Sequence, residues 1–470
     1  MFRLRRLEII LFALAIAVRL IFHYATGFLA DDAFITFRYA QNLAAGNGFV
    51  YNLGERVLGT TTPFLTFILA DLALIRIEPP TGALVVSVLC SGAIAVIIYR
   101  LATWLRFTYW TVLPALCYIV WPRSVVADSS GMETALFTLL VTAAFYFQHR
   151  RLTVYAVGMA TLAAVTRPEG IGVLGLLLVV DLIRDRSQYW KYLLTAGMIL
   201  VPWVAVATYY FGSPIPNSIP AKMTIYSQFG EMSVWERLVS VMGWQTVIGI
   251  VLLPAVIAGA IWLWRKQNFG RWELLWLAGM TLFYTLGPSK LFFWYIAPIY
   301  PLFLVFATAA IVYAFEEIAW LHQRIRWGVR IISTFILAIL VAACVKPYRS
   351  LRAIQQTQES VHKGIGLYLA NEAGKDDTVA AEDIGYMGYY SHLRVIDRDG
   401  LISPEVIPYN RIGAYGQVVK DFRPNWVVVY EKSPLSNFME EPWFMSAYQP
   451  AATFSHDQME YRVYRRTIPR

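Results

Sequence analysis

The sequence predicts a mainly α-helical membrane protein, a multi-span transmembrane bundle of about 11–12 segments followed by a C-terminal α/β domain. Of its 470 residues, 57% are hydrophobic and 15% are charged, whereas about a quarter of the residues in a typical soluble domain are charged. Long apolar segments recur up to residue 345, and short strand-like runs between polar segments follow. We therefore expect a transmembrane domain at 1–345 and an extracytoplasmic soluble domain at 346–470.

A transmembrane helix needs about 20 apolar residues. The candidate spans are 7–27, 62–77, 82–101, 109–122, 133–147, 152–167, 170–184, 191–211, 244–264, 272–287, 292–315 and 328–345. The first is interpreted as an uncleaved span rather than a signal peptide, because it is long and many spans follow it. The second and third must together make one crossing, so we expect one of them to be partial or re-entrant, with Pro79-Pro80 as the break.

Basic residues in short loops predict the orientation, since such loops are usually cytoplasmic. They are Arg3, Arg5, Arg6, Arg100, Arg106, Arg150, Arg151, Arg184, Arg186, Lys191, Arg265, Lys266, Arg271, Arg324 and Arg326. We expect a cytoplasmic N-terminus and an extracytoplasmic C-terminal domain on the cytoplasmic membrane. Because these loops carry most of the net charge of +9, a nucleic-acid partner is not predicted. The three cysteines lie in apolar segments without metal-type spacing, which favours a packing role.

The C-terminal 120 residues or so have the pattern of a small α/β domain. A polar helix is expected from 346 to about 370, followed by strands at 378–381, 394–396, 426–430, 452–454 and 461–464. The segment contains neither GxGxxG nor a P-loop, so nucleotide binding has no support.

Five polar clusters lie on the side predicted to be outside. The first begins with Asp31 and Asp32, ahead of a predicted helix that ends at Gly46, a common helix terminator. The others are 128–134, 166–170, 214–222 and 289–295. Carboxylates and cations brought together from separate loops suit an anionic, lipid-linked substrate. A carboxylate can activate an acceptor hydroxyl, and Lys or Arg can hold a phosphate.

Motifs in these clusters resemble those of the GT-C glycosyltransferases, multi-span enzymes that use polyprenyl-phosphate sugars. Within that superfamily they look most like the terminal arabinofuranosyltransferases of cell-wall arabinan assembly. The motifs are Asp31-Asp32-Ala33-Phe34-Ile35, Arg38-Tyr39-Ala40, Val50-Tyr51-Asn52, Gly54-Glu55-Arg56, Ser130-Gly131-Met132-Glu133-Thr134, Arg167-Pro168-Glu169-Gly170, Pro216-Asn217, Ala221-Lys222, Ile384-Gly385-Tyr386-Met387-Gly388 and Val395-Ile396-Asp397. They run in order from the first predicted span into the tail.

The resemblance implies a single-displacement, inverting transfer from a polyprenyl-phosphate donor to a glycan, lipid or protein acceptor. Asp31 would be the base that deprotonates the acceptor hydroxyl, with Asp32 as its helper. Lys222, Arg167 and Lys290 would hold the donor phosphate. The remaining expected substrate-binding residues are Glu133, Glu169, Asn217, Arg38 and Tyr295. Besides donor and acceptor, the expected partners are membrane lipids.

Each residue also has a structural interpretation. One of the two aspartates is expected to cap the loop helix, because helical neighbours point about 100° apart. Glu133 could begin a helix, Arg167 and Glu169 could pair with each other, and Lys222 could be a solvated loop residue. Lys290 could snorkel, Arg38 fits an interfacial or salt-bridging residue better than a ligand, and Tyr295 could belong to an aromatic belt. No cofactor is required, although a loosely bound divalent cation at Asp31 and Asp32 is compatible with the sequence.

Two other functional classes remain open. A saccharide or lipid transporter or flippase would place polar residues near the bilayer midplane and often has inverted repeats. The predicted polar residues lie at one face, and the sequence has no evident repeat. A membrane scaffold whose tail binds glycan would tolerate Asp31→Asn.

Overall fold

The computed structural model describes residues 5–184, 186–226, 233–241, 252–287, 291–317 and 325–467. The α-helices are α1 Arg6–Thr26, α2 Asp31–Ala44, α3 Pro63–Leu74, α4 Pro79–Trp104, α5 Leu113–Val120, α6 Pro122–Asp128, α7 Thr134–His149, α8 Thr153–Thr166, α9 Gly170–Arg184, α10 Tyr189–Phe211, α11 Ser218–Tyr226, α12 Val234–Val241, α13 Leu253–Gln267, α14 Arg271–Leu286, α15 Tyr300–Glu317, α16 Ile325–Ala343, α17 Val345–Thr357, α18 Gly364–Glu372, α19 Ile384–Ser391, α20 Ile407–Arg411, α21 Tyr415–Phe422 and α22 Pro442–Ala447. A π-helical turn, Gln358–Lys363, joins α17 to α18. The strands are β1 Thr378–Ala381, β2 Arg394–Asp397, β3 Trp426–Tyr430, β4 Tyr448–His456 and β5 Met459–Arg466.

Within the described residues, five helices are long and apolar enough to cross a membrane by length and composition. They are Arg6–Thr26, Pro79–Trp104, Tyr189–Phe211, Ala297–Ala314 and the longer helical stretch Thr334–Glu372, which runs from α16 through α17 and the π-helical turn to α18. Other apolar helices are shorter, and α3 has 12 residues. At about 1.5 Å per residue α3 is about 18 Å long, less than the roughly 30 Å hydrocarbon core. The mainly α-helical membrane fold is confirmed. Of the pair 62–77 and 82–101, the first contains the shorter helix, and the partial crossing stays a prediction. The predicted orientation stays a prediction.

One predicted span contains a break in the helix, and another lies only partly within the described residues. The segment 109–122 is not one continuous helix, because the backbone is extended at Trp121 (φ −66°, ψ 117°) and a new helix begins at Pro122. Trp121 and Pro122 continue the apolar run past the end of α5, so the predicted span extends beyond the helix. Of the predicted span 244–264, residues 244–251 lie outside the described residues, and α13 begins at Leu253.

The chain divides into two compact units, each made of discontinuous segments. The first comprises 1–27, 83–202 and 232–350, and the second comprises 28–82, 203–231 and 351–470. The first predicted outer loop and the 214–222 cluster thus belong to the same unit as the C-terminal domain. The division into a transmembrane domain at 1–345 and a soluble domain at 346–470 stays a prediction.

In the first unit, a buried ion pair joins α1 to α6. Arg19 Nη2 lies 3.0 Å from Asp128 Oδ2, and that oxygen also accepts hydrogen bonds from Ser91 Oγ at 2.8 Å and Tyr118 Oη at 3.0 Å. Buried charges persist when they are paired and hydrogen-bonded in this way. Asp128 is therefore a structural member of the second polar cluster.

In the second unit, the described strands form one five-stranded sheet with the order β2-β1-β3-β5-β4. Strands β1, β2 and β3 are parallel, and β5 runs antiparallel to β3 and β4. The predicted strands 378–381 and 426–430 are confirmed to the residue, while β4 and β5 are longer than predicted. This sheet confirms the C-terminal α/β region.

Helix α2 packs closely on α19, which carries the Ile384-Gly385-Tyr386-Met387-Gly388 motif. The ring centroids of Phe34 and Tyr386 are 3.8 Å apart. A Cβ on Gly388 would overlap the Tyr51 hydroxyl and lie 2.8 Å from Arg38 Nη1. Tyr51 is buried and its hydroxyl donates to the Ile384 carbonyl at 2.6 Å, so it has little room to yield.

Gly388→Ala is therefore expected to destabilise the protein by about 1–3 kcal/mol, the usual range for overpacking, despite the better helix propensity of Ala. The measurement is the unfolding midpoint of the full chain in detergent. Gly374→Ala is the matched control, because its nearest neighbouring atom would be 3.5 Å away. An equal midpoint for both variants would contradict the packing argument.

Candidate active site

The two aspartates occupy the first two positions of α2. The N-cap residue is Ala30, which adopts an extended conformation and has no side-chain acceptor. The expectation that one aspartate caps this helix is therefore wrong. Both acids instead lie in the first turn, where the helix dipole favours negative charge, and their side chains are available for other partners.

Asp31 is bound at the start of α19. Its Oδ2 accepts a hydrogen bond from the Gly385 amide at 3.0 Å, and its Oδ1 accepts one from the Tyr386 amide at 2.9 Å. These are the bonds that a capping side chain normally supplies to the second and third residues of a helix. Asp31 thus caps α19 from α2, and the absence of a side chain on Gly385 is required because a Cβ would overlap the Asp31 carbonyl.

Asp32 is more accessible and faces a cation. Its Oδ2 lies 3.1 Å from Lys222 Nζ, and 31% of the Asp32 side chain and 21% of the Lys222 side chain are exposed. The Asp31 side chain is 17% exposed. Of the two acids, Asp32 is thus the one better placed to meet an incoming molecule.

Asn217 holds the start of α11, which carries Lys222. Its Nδ2 donates to the carbonyls of Gly400 at 2.7 Å and Leu401 at 2.9 Å, and its backbone amide donates to the Leu58 carbonyl at 2.7 Å. The side-chain donors of Asn217 are therefore used within the protein. Its contribution to the site is to position Lys222, while the substrate contact expected for it stays a prediction.

The loop that Asn217 contacts is itself held by Asp397. The Asp397 carboxylate accepts hydrogen bonds from the amides of Asp399 at 2.9 Å and Ile402 at 3.1 Å. Burial raises the pKa of Asp397 to about 7, and these amide hydrogen bonds oppose the rise. The Val395-Ile396-Asp397 motif thus supports the Asp32–Lys222 pair through the 398–402 loop.

Three residues that the sequence did not single out lie next to Asp31. His362 Nδ1 is 3.6 Å from Asp31 Oδ1, and His362 Nε2 is 3.2 Å from Tyr461 Oη. The Tyr461 hydroxyl donates to Asp383 Oδ2. Burial raises the pKa of Asp383, and the nearby His362 partly offsets this. The available signal was the position of Asp383 directly before the Ile384 motif, whereas His362 stands in no recognisable pattern.

Arg38 connects α2 to the segment around α19. It is buried, and its guanidinium donates to the carbonyls of Gly388 at 2.7 Å and Leu393 at 2.6 Å. It also lies 4.1 Å from the centroid of the Tyr51 ring. These contacts agree with the interfacial interpretation of Arg38 and leave its substrate contact a prediction.

In the first unit, three of the predicted residues, Glu133, Glu169 and Tyr295, lie around a fourth, Arg167. Its Nη2 lies 2.9 Å from Glu169 Oε1, and its Nη1 lies 3.5 Å from Glu133 Oε1. The Tyr284 hydroxyl donates to Glu169 at 2.6 Å. The Arg167 guanidinium carbon is 5.1 Å from the centroid of the Tyr295 ring, which stacks on Tyr284.

This arrangement bears on the phosphate contact expected for Arg167. The guanidinium is buried, and two carboxylates offset its charge. Burial disfavours ionised Glu169, but Arg167 outweighs this and holds its pKa below the ordinary value. A phosphate would therefore have to compete with two glutamates for Arg167.

Three expectations about the site stay predictions. Lys290 lies outside the described residues. Asp31, Asp32 and Lys222 belong to the second unit, and Glu133, Arg167 and Glu169 belong to the first, so their convergence on one cavity stays a prediction. Within the described residues, no group of three or more His, Cys, Asp or Glu side chains is arranged to hold a metal ion. The divalent cation at Asp31 and Asp32 also stays a prediction.

Comparison with known proteins supplies the fold type. Residues 349–465 are similar to the family described as "Domain of unknown function (DUF8728)". No curated protein matches the sequence. Two crystal structures of ArnT from Cupriavidus metallidurans, one bound to undecaprenyl phosphate and one in the apo state, each align over 97% of both chains with a TM-score of 0.61 and 13% identity. This likeness shows that the chain has the GT-C fold.

Proposed function

We propose that the protein is an integral membrane inverting glycosyltransferase that moves a sugar from a polyprenyl-phosphate donor to a glycan, lipid or protein acceptor. The observation that carries this proposal is the accessible Asp32–Lys222 pair, with 3.1 Å between Oδ2 and Nζ, in a chain with the GT-C fold. The undecaprenyl phosphate bound to ArnT supports a polyprenyl-phosphate donor. The reaction would take place at the outer face of the cytoplasmic membrane.

In the proposed reaction, Asp32 accepts the proton of the acceptor hydroxyl as its oxygen attacks the anomeric carbon. The bond between that carbon and the phosphate oxygen breaks, and the polyprenyl phosphate leaves as an anion held by Lys222. A single displacement inverts the anomeric configuration. The phosphate leaves already ionised, so the reaction needs no general acid.

The proposal assigns different roles to the two aspartates than the motif resemblance does. Both oxygens of Asp31 accept backbone hydrogen bonds, which favours a supporting role. Asp32 is adjacent in sequence and more exposed. We therefore assign the base to Asp32 and its positioning to Asp31.

Lys222 fits the phosphate because its flexible ammonium can turn from Asp32 towards a bound anion. Such a shift would also release Asp32 to accept a proton. The sugar itself is a finer proposal, and arabinofuranose is supported by the resemblance of the sequence motifs alone.

The decisive experiment is a transfer assay with the purified full chain and a panel of polyprenyl-phosphate sugars that includes arabinofuranose, a hexose and an N-acetylhexosamine. We expect transfer from one donor, with inversion at the anomeric carbon detected by NMR of the product. Retention would contradict the single displacement. Movement of lipid-linked sugar across vesicles without transfer would instead favour a flippase.

A further inference from the structure

A buried row of polar side chains leads away from Asp31 into the C-terminal sheet. It consists of Asp31, His362, Tyr461 and Asp383, which come from α2, the π-helical turn, β5 and the residue before α19. His362 and Tyr461 are 5% and 2% exposed. Because buried polar groups are normally hydrogen-bonded, the donor and the acceptor of each hydrogen bond in this row can be assigned.

The hydroxyl of Tyr461 fixes that direction. Tyr461 has one proton, which it donates to the Asp383 carboxylate. His362 Nε2, 3.2 Å away, must then donate to the Tyr461 oxygen. The ring is thereby anchored on one side, and its Nδ1 faces Asp31 Oδ1. Because Nε2 already carries a proton, Nδ1 donates to Asp31 in the doubly protonated imidazolium form, in which both ring nitrogens are donors.

The distance from Nδ1 to Oδ1 is 3.6 Å, just beyond a normal hydrogen bond. Hydrogen bonds of catalytic groups are often long without substrate and tighten in the reacting complex. A second observation concerns the backbone, since His362 lies in a π-helical turn within an otherwise α-helical segment. Such turns occur frequently at functional sites.

We infer that His362 is a positioning residue for the transfer reaction, and that it holds the Asp31 carboxylate and so fixes the first turn of α2, which carries Asp32. The inference rests on the proposed function. The two amides of α19 hold both oxygens of Asp31, and His362 approaches Oδ1 from a different element. Because Asp32 follows Asp31 directly in α2, a shift of the backbone at Asp31 would also move Asp32 relative to the acceptor.

A pair of substitutions separates the two faces of the imidazole. The amide nitrogen of Asn lies near the position of Nδ1, and that of Gln lies near the position of Nε2. His362→Asn keeps a donor towards Asp31, and His362→Gln keeps one towards Tyr461. Tyr461→Phe retains the ring but removes the hydroxyl that anchors Nε2.

The experiment measures kcat, the donor KM and the unfolding midpoint of the full chain for each variant. We expect His362→Asn to stay within about 3-fold of the wild-type kcat, and His362→Gln to lose about 10- to 100-fold, as misplacement of about 1 Å can do. The donor KM should be unchanged, and Tyr461→Phe should fall between the two. His392→Asn, at an exposed histidine, is the control and should match the wild type.

Two results would overturn the inference. One is a kcat for His362→Gln equal to that of His362→Asn. The other is a loss of kcat that follows the unfolding midpoint across all variants, which would indicate a purely structural role. An absence of transfer by the wild type with every donor is a different outcome, since it rejects the proposed function itself.

Discussion

Replacing Asp32 by Asn is expected to lower kcat for sugar transfer by about 10²–10⁴-fold, the usual contribution of a general base. The amide has nearly the same shape as the carboxylate but cannot accept the proton of the acceptor hydroxyl. The measurement is kcat with saturating donor and acceptor in the transfer assay. The donor KM should change much less, because the base acts in the transition state.

Two companion variants make this result interpretable. Asp376→Asn removes an exposed carboxylate from the loop before β1 and should be silent. Asp31→Asn should reduce kcat by less than Asp32→Asn, because Asp31 supports the base in our assignment. A larger loss for Asp31→Asn would restore Asp31 as the base, and full activity in both variants would remove the mechanism.

The features that were predicted best from the sequence are those that depend on local patterns. Strands at 378–381 and 426–430 were located to the residue because short apolar runs between turn residues have few alternatives. The helix after Asp31 was also predicted, and it ends just before Gly46, where φ is +80°. The predicted span 109–122 runs two residues past the end of α5 at Val120, because Trp121 and Pro122 continue the apolar run.

The contacts that organise the site were not predictable in this way. Asp31 and Gly385 are 354 residues apart, and no local pattern encodes such a pairing. The sequence drew attention to both motifs but gave no reason to join them. Similarly, the motif resemblance singled out Asn217 as a substrate contact, which stays a prediction, but no local pattern indicated that its side chain donates to the carbonyls of the 398–402 loop.

These contacts indicate that the C-terminal region positions the Asp32–Lys222 pair. The amides at the start of α19 bind the Asp31 carboxylate. The carbonyls of the 398–402 loop bind the side chain of Asn217, which lies five residues before Lys222. Both members of the Asp32–Lys222 pair are therefore positioned from the segment that matches the family of unknown function. Substitutions at the start of α19 or in the 398–402 loop should therefore impair transfer without touching either substrate.

Lys222→Met is expected to lower kcat/KM for the polyprenyl-phosphate donor by about 10²–10³-fold, the effect of removing one group that stabilises developing negative charge. Met keeps most of the apolar length of Lys but carries no charge. Lys222→Arg should recover part of the loss, because the guanidinium also binds phosphate but has a different shape. Binding of undecaprenyl phosphate, followed by tryptophan fluorescence, should weaken in the same order.

The exposed Lys375 offers the control, and Lys375→Met should leave both activity and binding unchanged. The double variant Asp32→Asn/Lys222→Met separates chemistry from a simple salt bridge. If the pair only stabilised the fold, removing both charges would relieve the cost of leaving one unpaired, and activity would return towards the wild-type value. Because we assign one partner to the acceptor proton and the other to the donor phosphate, the double variant should be at least as inactive as Asp32→Asn. Recovery of transfer in the double variant would therefore refute both assignments at once.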